Sequence, residues 1–360
     1  MPRSTTLRLR GLWFQVHKWI GLSLAVLIIP ISLSGAALVW HDWLDAAINP
    51  QRMAASGEAR LGPAAYAAAA RAALGPGDRI ASIRFPGHGP VVVAAQRPGA
   101  ARPVRTNVWL DPASGRVLDK ASADAGPMRF IHILHGSLAV PGMGRTIVGW
   151  VGVFMFCSCL TGLWLWWPIT GSLRRGWRWK RQNSTNANLH HQVGFWVLLP
   201  LAMLSFTGAW ISFPGLFAAG PERPRPARTQ PLEQTALTAD QALAAAQRYA
   251  TGAAVTVTWP TDQSSDWKLA FARDGSPAEV AVDDATGKVT PPRPPRRETK
   301  ARLMRRLHDG TGLGPVWQTL IFLAGIIPAI LAVTGIVMWL RSRGWRAALA
   351  KQRKAAGMAA

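Results

Sequence analysis

Four long apolar stretches constrain this chain more than any other feature of its sequence. They run over roughly residues 19–40, 147–167, 193–213 and 316–340. Each has the length of about 20 residues that an α-helix needs to cross the hydrocarbon core of a bilayer. The sequence therefore predicts a membrane protein with four spans.

The sequence also repeats itself, without a gap, at an offset of 173 residues. In the first and third stretches His17, Gly21, Ser32, Gly35 and Ala36 match His190, Gly194, Ser205, Gly208 and Ala209. In the second and fourth stretches and the segments just before them, the matches continue. Leu134, His135, Thr146, Gly152, Thr161, Gly162 and Trp166 match Leu307, His308, Thr319, Gly325, Thr334, Gly335 and Trp339. A repeat of this kind indicates one module used twice. We expect an α-helical four-span bundle built as a tandem repeat.

The charge pattern predicts the orientation of the spans. The formal net charge of +23 would suggest nucleic-acid binding in a soluble protein, but the apolar stretches make the bilayer the expected partner and we expect no nucleic acid. Basic residues cluster near the N-terminus, at 174–181 and at 341–354. Because short basic segments stay in the cytoplasm, both termini are predicted inside a bacterial inner membrane and both long loops in the periplasm.

These observations give the predicted domain boundaries. Residues 1–16 form a basic, partly amphipathic segment expected on the inner leaflet, and 341–360 form a basic cytoplasmic tail. The spans are 17–40, 146–168, 190–213 and 316–340, with a cytoplasmic loop at 169–189 and periplasmic domains at 41–145 and 214–315. The Pro/Arg-rich stretches 221–231 and 291–297 are predicted linkers.

The two periplasmic loops have the same predicted order of elements. An Ala-rich helix over 62–74 precedes strands at 79–86, 91–96 and 105–110, and a helix over 238–249 precedes strands at 254–259, 267–272 and 279–282. The third strand of each set leads into a turn, Asp111-Pro-Ala-Ser-Gly-Arg-Val117 in one and Asp283-Asp-Ala-Thr-Gly-Lys-Val289 in the other.

This helix-and-hairpin unit resembles the PepSY domain, and the whole chain resembles the PepSY-associated transmembrane helix family. The resemblance includes H-K-W-I-G at His17, L-H-H-Q-V-G at Leu189, and L-H before the second and fourth spans. The family contains iron-regulated inner-membrane proteins and di-haem siderophore reductases of the FoxB type. It implies two periplasmic α+β PepSY-like domains and, by that type, reduction of a ferric siderophore for iron uptake.

The repeated histidines are the candidate cofactor ligands. Ionisable residues at membrane depth mark functional sites, and an electron-carrying haem takes two axial histidines. If the copies are related by an axis along the membrane normal, His17 faces His190 near the cytoplasm and His135 faces His308 near the outer surface. Gly21 and Gly194 follow the inner pair by four residues and leave room for a porphyrin. We predict two b haems, with the iron as the metal.

The other histidines have weaker claims. His191 is an alternative to His190 as ligand, although it aligns with Lys18 and a lipid headgroup contact is favoured. His132 is expected to be solvent-exposed or to steer a haem propionate, His41 to lie at the interface, and His88 to lie in a loop. The recurring Ser/Thr-Gly dipeptides are explained equally well by helix packing and are not counted as site residues.

No catalytic residue is assigned beyond these ligands, and three functions remain open. The chain has no dinucleotide fingerprint, Walker loop or haem-attachment motif, so a haem enzyme would take electrons from a membrane quinol or a cytoplasmic reductase. Alternatively, the PepSY resemblance implies a haem-free scaffold or regulator of envelope proteases. A transporter is the third possibility, but the spans contain no Asp or Glu.

The predicted topology can be tested with reporter fusions. Alkaline phosphatase, which is active only after export, should be active when fused at Ala101 or Ser276 and inactive when fused at Gln182. Activity at Gln182 would contradict the orientation.

Overall fold

The structure, a computed structural model, describes residues 3–97, 103–167, 184–217, 229–273, 277–292 and 299–355. It contains two compact units. The membrane unit comprises Met1–His41, Phe130–Glu222 and Glu298–Ala360, and the sheet unit comprises Asp42–Arg129 and Arg223–Arg297. The predicted basic cluster at 174–181 and most of both predicted linkers, 221–231 and 291–297, lie outside the described residues.

The elements follow one another along the chain in this order. The helices are α1 (Arg3–Val39), α2 (His41–Ile48), α3 (Pro63–Ala73), α4 (Pro127–Ser137), α5 (Gly144–Trp166), α6 (Thr185–Ser212), α7 (Pro214–Phe217), α8 (Ala239–Gln247), α9 (Lys300–Asp309) and α10 (Gly314–Ala355). The strands are β1 (Arg79–Arg84), β2 (Val91–Arg97), β3 (Val104–Leu110), β4 (Val117–Ser122), β5 (Ala254–Thr258), β6 (Asp266–Phe271), β7 (Ala278–Asp283) and β8 (Val289–Thr290). A short 3₁₀ helix covers Pro50–Met53.

Four helices of the membrane unit are long and apolar enough to cross a bilayer, as predicted. These segments are Leu7–Val39, Gly144–Trp166, Thr185–Ser212 and Gly314–Ala350. Large apolar side chains point outward from them, and Val26, Leu199 and Val316 are 74%, 77% and 82% exposed. Such a surface is stable against lipid, since a helix satisfies its own backbone hydrogen bonds there. The chain is a membrane protein in contact with the bilayer.

The helices approach one another closely at small residues. A Cβ at Gly152 of α5 would lie 3.0 Å from the Ser205 carbonyl oxygen of α6. A Cβ at Gly325 of α10 would lie 3.0 Å from the Ala36 Cβ of α1. Glycine allows this close approach, because a side chain at either crossing would require the facing helix to shift by a few tenths of an ångström.

Two helices extend further than the sequence predicts. Residues 1–16 were expected as a basic segment on the inner leaflet, and in the structure residues 3–16 are the first turns of α1. The predicted tail likewise continues α10 as far as Ala355. The physical reason is that Leu, Arg, Lys, Gln and Ala favour the helix, so helical backbone bonds continue beyond the apolar span.

The sheet unit contains one antiparallel sheet with the strand order β4-β3-β2-β1-β5-β6-β7-β8. The sequence predicts two separate domains, each with its own strands. In the structure the first strand of each set pairs with the other, with Ser82, Ile83 and Arg84 of β1 opposite Thr258, Val257 and Thr256 of β5. The two predicted domains thus share a continuous eight-stranded sheet.

A single apolar core supports this sheet. Alternate strand residues such as Val280 and Val282 are fully buried, while Glu279 between strand neighbours is exposed. Tyr66 of α3 and Ala242 of α8 belong to the same buried cluster. The period-2 alternation of the strands therefore buries one sheet face beneath α3 and α8.

The buried carboxylate of Asp111 stabilises the turn between β3 and β4. Its oxygens accept hydrogen bonds from the backbone N–H and the hydroxyl of both Ser56 and Ser114. These bonds, the Ser114 hydroxyl foremost, lower the pKa of Asp111 to about 2. The stabilisation is complete above the ordinary pKa of about 4 and is lost as the pH falls towards 2.

Asp111→Asn should destabilise the sheet unit by about 1–3 kcal/mol at neutral pH, because an amide cannot accept from all four donors. Hydrogen exchange of the intact protein, followed by mass spectrometry, should show faster exchange in peptides that contain Ser56 and Ser114. Glu279→Gln, at an exposed strand position, is the control and should leave exchange unchanged. Equal protection in Asp111→Asn would show that the four hydrogen bonds do not hold the turn.

Candidate functional site

Two pairs of histidine rings face each other in the membrane unit. The ring centroids of His17 on α1 and His190 on α6 are 6.3 Å apart, with an angle of 87° between the planes. Those of His135 on α4 and His308 on α9 are 6.0 Å apart, with an angle of 37°. We call these the inner pair and the outer pair. Each pair joins a residue to its match in the sequence repeat, which is the pairing that the sequence predicts.

Every one of these rings has a hydrogen-bond partner at Nδ1. The His17 Nδ1 is 3.0 Å from Thr161 Oγ1, and the His190 Nδ1 is 3.3 Å from Thr334 Oγ1.

Both histidines of the outer pair also have a hydrogen-bond partner at Nδ1. The His308 Nδ1 lies 3.0 Å from Thr207 Oγ1, and the His135 Nδ1 lies 2.9 Å from the Ile31 carbonyl oxygen.

These contacts determine the tautomer of each histidine. A backbone carbonyl only accepts, so His135 donates its Nδ1–H to Ile31. The threonine hydroxyls donate to carbonyls of their own helix, as Thr161 does to Cys157 and Thr207 does to Met203. The threonine oxygen then accepts the Nδ1–H of the histidine. The Nε2 atom of each ring is left as the nitrogen with a free lone pair, which is the form that binds a metal.

Three of the four Nδ1 partners, Thr161, Thr207 and Thr334, come from the Ser/Thr-Gly dipeptides, which the sequence analysis did not count as site residues. Ser34, Thr161, Thr207 and Thr334 are all buried. The glycine after each of them also faces a histidine ring, and a Cβ at Gly35 would lie 2.6 Å from His135 Cε1. The sequence did contain a signal, because these dipeptides recur at the same offset as the histidines.

The inner pair lines a cavity of about 860 Å³ among the membrane helices. A cavity of this size is in the range of cofactor pockets, roughly 300–1,000 Å³. Gly21 and Gly194 also line it, and a Cβ at either would meet no atom of the described chain within 4 Å. The open space predicted beside the inner histidines is therefore present.

The outer pair lies outside the membrane-spanning segments, and burial favours the uncharged form of both rings. Burial lowers the pKa of His135, against a smaller opposing effect of the Ile31 carbonyl. Burial lowers the pKa of His308 to about 4, with the neighbouring His135 as the second cause. A neutral imidazole is the state required of a metal ligand.

Of the remaining histidines, all of which lie in the described part of the chain, only His191 also lines the inner cavity. His191 stacks on Trp166 with ring centroids 6.1 Å apart, so the structure brings His190 and not His191 to His17. His41 donates its Nδ1–H to the Leu38 carbonyl oxygen at 3.2 Å, and His88 and His132 are exposed. Across the described ranges, no group of three or more His, Cys, Asp or Glu side chains could hold a bare metal ion.

The pairs fit a haem iron bound from both sides. Two metal–nitrogen bonds of about 2 Å each, plus roughly 1 Å from each nitrogen to its ring centre, put the two ring centres about 6 Å apart. Both observed separations agree with this value. The residues present are thus suited to b-type haem, with His17 and His190 for one group and His135 and His308 for the other.

The chain matches the model of the PepSY-associated TM region over residues 14–354. This match covers nearly the whole sequence, and the chain belongs to that family. No curated protein matches the chain at a significant level.

Proposed function

We propose that the protein carries electrons across the bacterial inner membrane through two b haems and reduces a periplasmic acceptor. The observation that carries this proposal is the two histidine pairs, each with Nδ1 bonded and with ring centres about 6 Å apart. In this proposal both termini are cytoplasmic, and the sheet unit is periplasmic. The enzyme class is a haem-dependent transmembrane oxidoreductase.

Each bound haem would supply one-electron redox chemistry. The protein residues hold the ligands apart in neutral form and exclude water from the inner site with apolar side chains. The two pairs lie in series: His17 and Ile31, the partner of His135, are separated on α1 by a rise of about 21 Å at 1.5 Å per residue. With only one haem site, an electron would still have to cross most of the hydrocarbon core of the bilayer, which is about 30 Å thick.

The acceptor proposed is a ferric siderophore, as in the FoxB-type members of the family. Reduction would release iron, because hard oxygen ligands hold Fe(II) less tightly than Fe(III). The electron donor is a membrane quinol or a cytoplasmic reductase. A haem-free scaffold that regulates envelope proteases is the alternative, and it predicts a colourless purified protein in place of a b-type spectrum.

Loss of haem should follow the observed pairs. His17→Ala and His190→Ala should each remove the inner haem, so that the content of the purified protein falls from about two haems to about one. His135→Ala and His308→Ala should each remove the outer haem. The double variant His17→Ala/His190→Ala should lose no more than either single variant, since a haem lost once cannot be lost again. Haem content and optical spectra measure all of these outcomes.

The chain provides matched controls for this experiment. His191→Ala changes the neighbour of His190, and His88→Ala changes an exposed loop histidine, and both should retain two haems. If His17→Ala and His135→Ala deplete the same haem, the pairing is wrong. If the wild-type protein contains no haem when haem is supplied, the electron-transfer proposal fails.

Exposed arginines near the outer pair support an anionic acceptor. Arg302 and Arg305 lie on α9 with His308, and Arg145 lies in the first turn of α5. All three are exposed. Positive charge of this kind attracts an anionic chelate and accelerates its encounter with the protein.

Reduction of an anionic ferric chelate should slow as ionic strength rises, because salt screens this attraction. Arg305→Gln should lower the rate at low salt and make it less sensitive to salt. Arg341→Gln, exposed at the opposite end of α10 from the outer pair, is the matched control and should behave as the wild type. A rate that is flat from low to high salt in all three proteins would remove these arginines from the acceptor site. Stopped-flow spectra of haem oxidation provide the measurement.

A further inference from the structure

The four histidines share one local arrangement. Each lies against a Ser/Thr-Gly pair on a long helix: His17 against Thr161-Gly162 of α5, His190 against Thr334-Gly335 of α10 and His308 against Thr207-Gly208 of α6. His135 lies against Gly35 of the Ser34-Gly35 pair of α1, and its hydrogen bond goes to the Ile31 carbonyl of the same helix. All four pairs belong to the same half of the sequence repeat as the histidine that they contact.

We propose that Thr161, Thr207 and Thr334, the Ile31 carbonyl one turn before Ser34, and the glycine of each pair are positioning residues that hold each histidine in its Nδ1–H form, with Nε2 directed to the histidine of the other half. This inference rests on the proposed haem ligation. One half of the sequence would orient its own ligand, and the other half would supply the second ligand to the same iron.

The hydroxyl or carbonyl that accepts the Nδ1–H changes how strongly the Nε2 of the same histidine donates electrons to the iron. A hydrogen bond from Nδ1–H to a fixed acceptor keeps the proton off Nε2 and makes that nitrogen a stronger donor. Stronger donation stabilises ferric iron relative to ferrous iron, so loss of the acceptor should raise the reduction potential. Loss of such a partner also weakens metal binding, roughly 10–100-fold.

The four histidines do not have the same set of hydrogen-bond acceptors around Nδ1. Around the His17 Nδ1 lie Thr161 Oγ1 at 3.0 Å, the Ser158 carbonyl oxygen at 3.1 Å and Ser158 Oγ at 3.3 Å. Leu331 occupies the position of Ser158 beside His190, and Leu204 occupies it beside His308. The backbone carbonyls of both leucines also bond the neighbouring histidine, but a leucine side chain has no hydroxyl. The second hydroxyl is therefore special to His17. Loss of Thr161 should matter less than loss of Thr207, because the Ser158 hydroxyl can still accept in addition to a backbone carbonyl.

The glycines act because they have no side chain where the histidine rings lie. A Cβ at Gly35 would lie 2.6 Å from His135 Cε1 and 2.9 Å from its Nδ1, which no side chain tolerates without movement of the ring. At Gly208 the nearest ring atom would be 3.1 Å away, at Gly162 3.3 Å and at Gly335 3.9 Å. The same substitution at four matching positions should thus have four different effects.

The hydroxyl is tested by Thr207→Val, which keeps the shape and removes the acceptor. The full-length protein should bind the outer haem about 10-fold to 100-fold more weakly, and the potential of the outer haem that remains should rise while that of the inner haem is unchanged. Thr207→Ser should restore both values, because serine keeps the hydroxyl. Thr161→Val should produce a smaller shift, confined to the inner haem.

The glycines are tested by alanine at each position. Gly35→Ala should lose the outer haem, Gly208→Ala and Gly162→Ala should retain progressively more haem at their own sites, and Gly335→Ala should match the wild type. All four glycines are helical, and alanine favours a helix by about 1 kcal/mol over glycine, so loss of haem cannot be attributed to a weaker helix.

One further measurement separates this inference from the proposed function. In haem-depleted protein with ¹⁵N-labelled histidine, the imidazole nitrogen shifts report the tautomer. His17, His135, His190 and His308 should each carry the proton on Nδ1, and Thr207→Val should change the His308 signals. Those signals test the positioning role even if the wild type never binds haem.

Two results would overturn the inference. The first is a wild type with two haems and a Thr207→Val variant with unchanged haem affinity and potential, in which case the haem proposal stands and the positioning role fails. The second is equal haem loss in Gly35→Ala and Gly335→Ala, which would reject the role of the close glycine contact.

Discussion

The membrane unit depends on a single constraint: a polar group inside a helical bundle must find its hydrogen-bond partner within the protein. An imidazole has two nitrogens to satisfy, and one of them carries a proton. Here the Nδ1–H of each paired histidine bonds a threonine hydroxyl or the Ile31 carbonyl. The helix that provides this acceptor also fixes the direction of the ring. The arrangement of the candidate site follows from this local bond.

The second nitrogen relates one half of the molecule to the other. His17 meets His190 and His135 meets His308, so neither half contains a complete pair. His17 is hydrogen-bonded to α5 at Thr161, and α5 closely crosses α6, which carries His190, at Gly152. Helix packing and ligand geometry are therefore coupled: a wider crossing would separate the histidines as well as the helices.

The sheet unit satisfies its own constraint in a similar way. A four-stranded sheet has two edges with unpaired backbone groups, and an edge of this kind tends to pair with another strand. The β1 and β5 strands remove two such edges by pairing with each other. The common core beneath α3 and α8 then buries apolar residues of both strand sets together.

The sequence by itself determined the four spans, one helix and three strands in each loop, and the identity of the four paired histidines, because apolar length, period-2 alternation and a gapless repeat are properties of the chain alone. Only the tertiary structure decided that His190 and not His191 faces His17, since adjacent helical residues point about 100° apart and the rotation of α6 depends on its neighbours. It likewise decided that Thr161, Thr207 and Thr334 contact the rings, because a small dipeptide in a span serves equally for packing and for hydrogen bonding until its neighbour is known. The pairing of β1 with β5 was also decided only by the tertiary structure. The alternation of apolar residues predicts which face of a strand is buried, but it does not predict which strand pairs with each edge of the sheet.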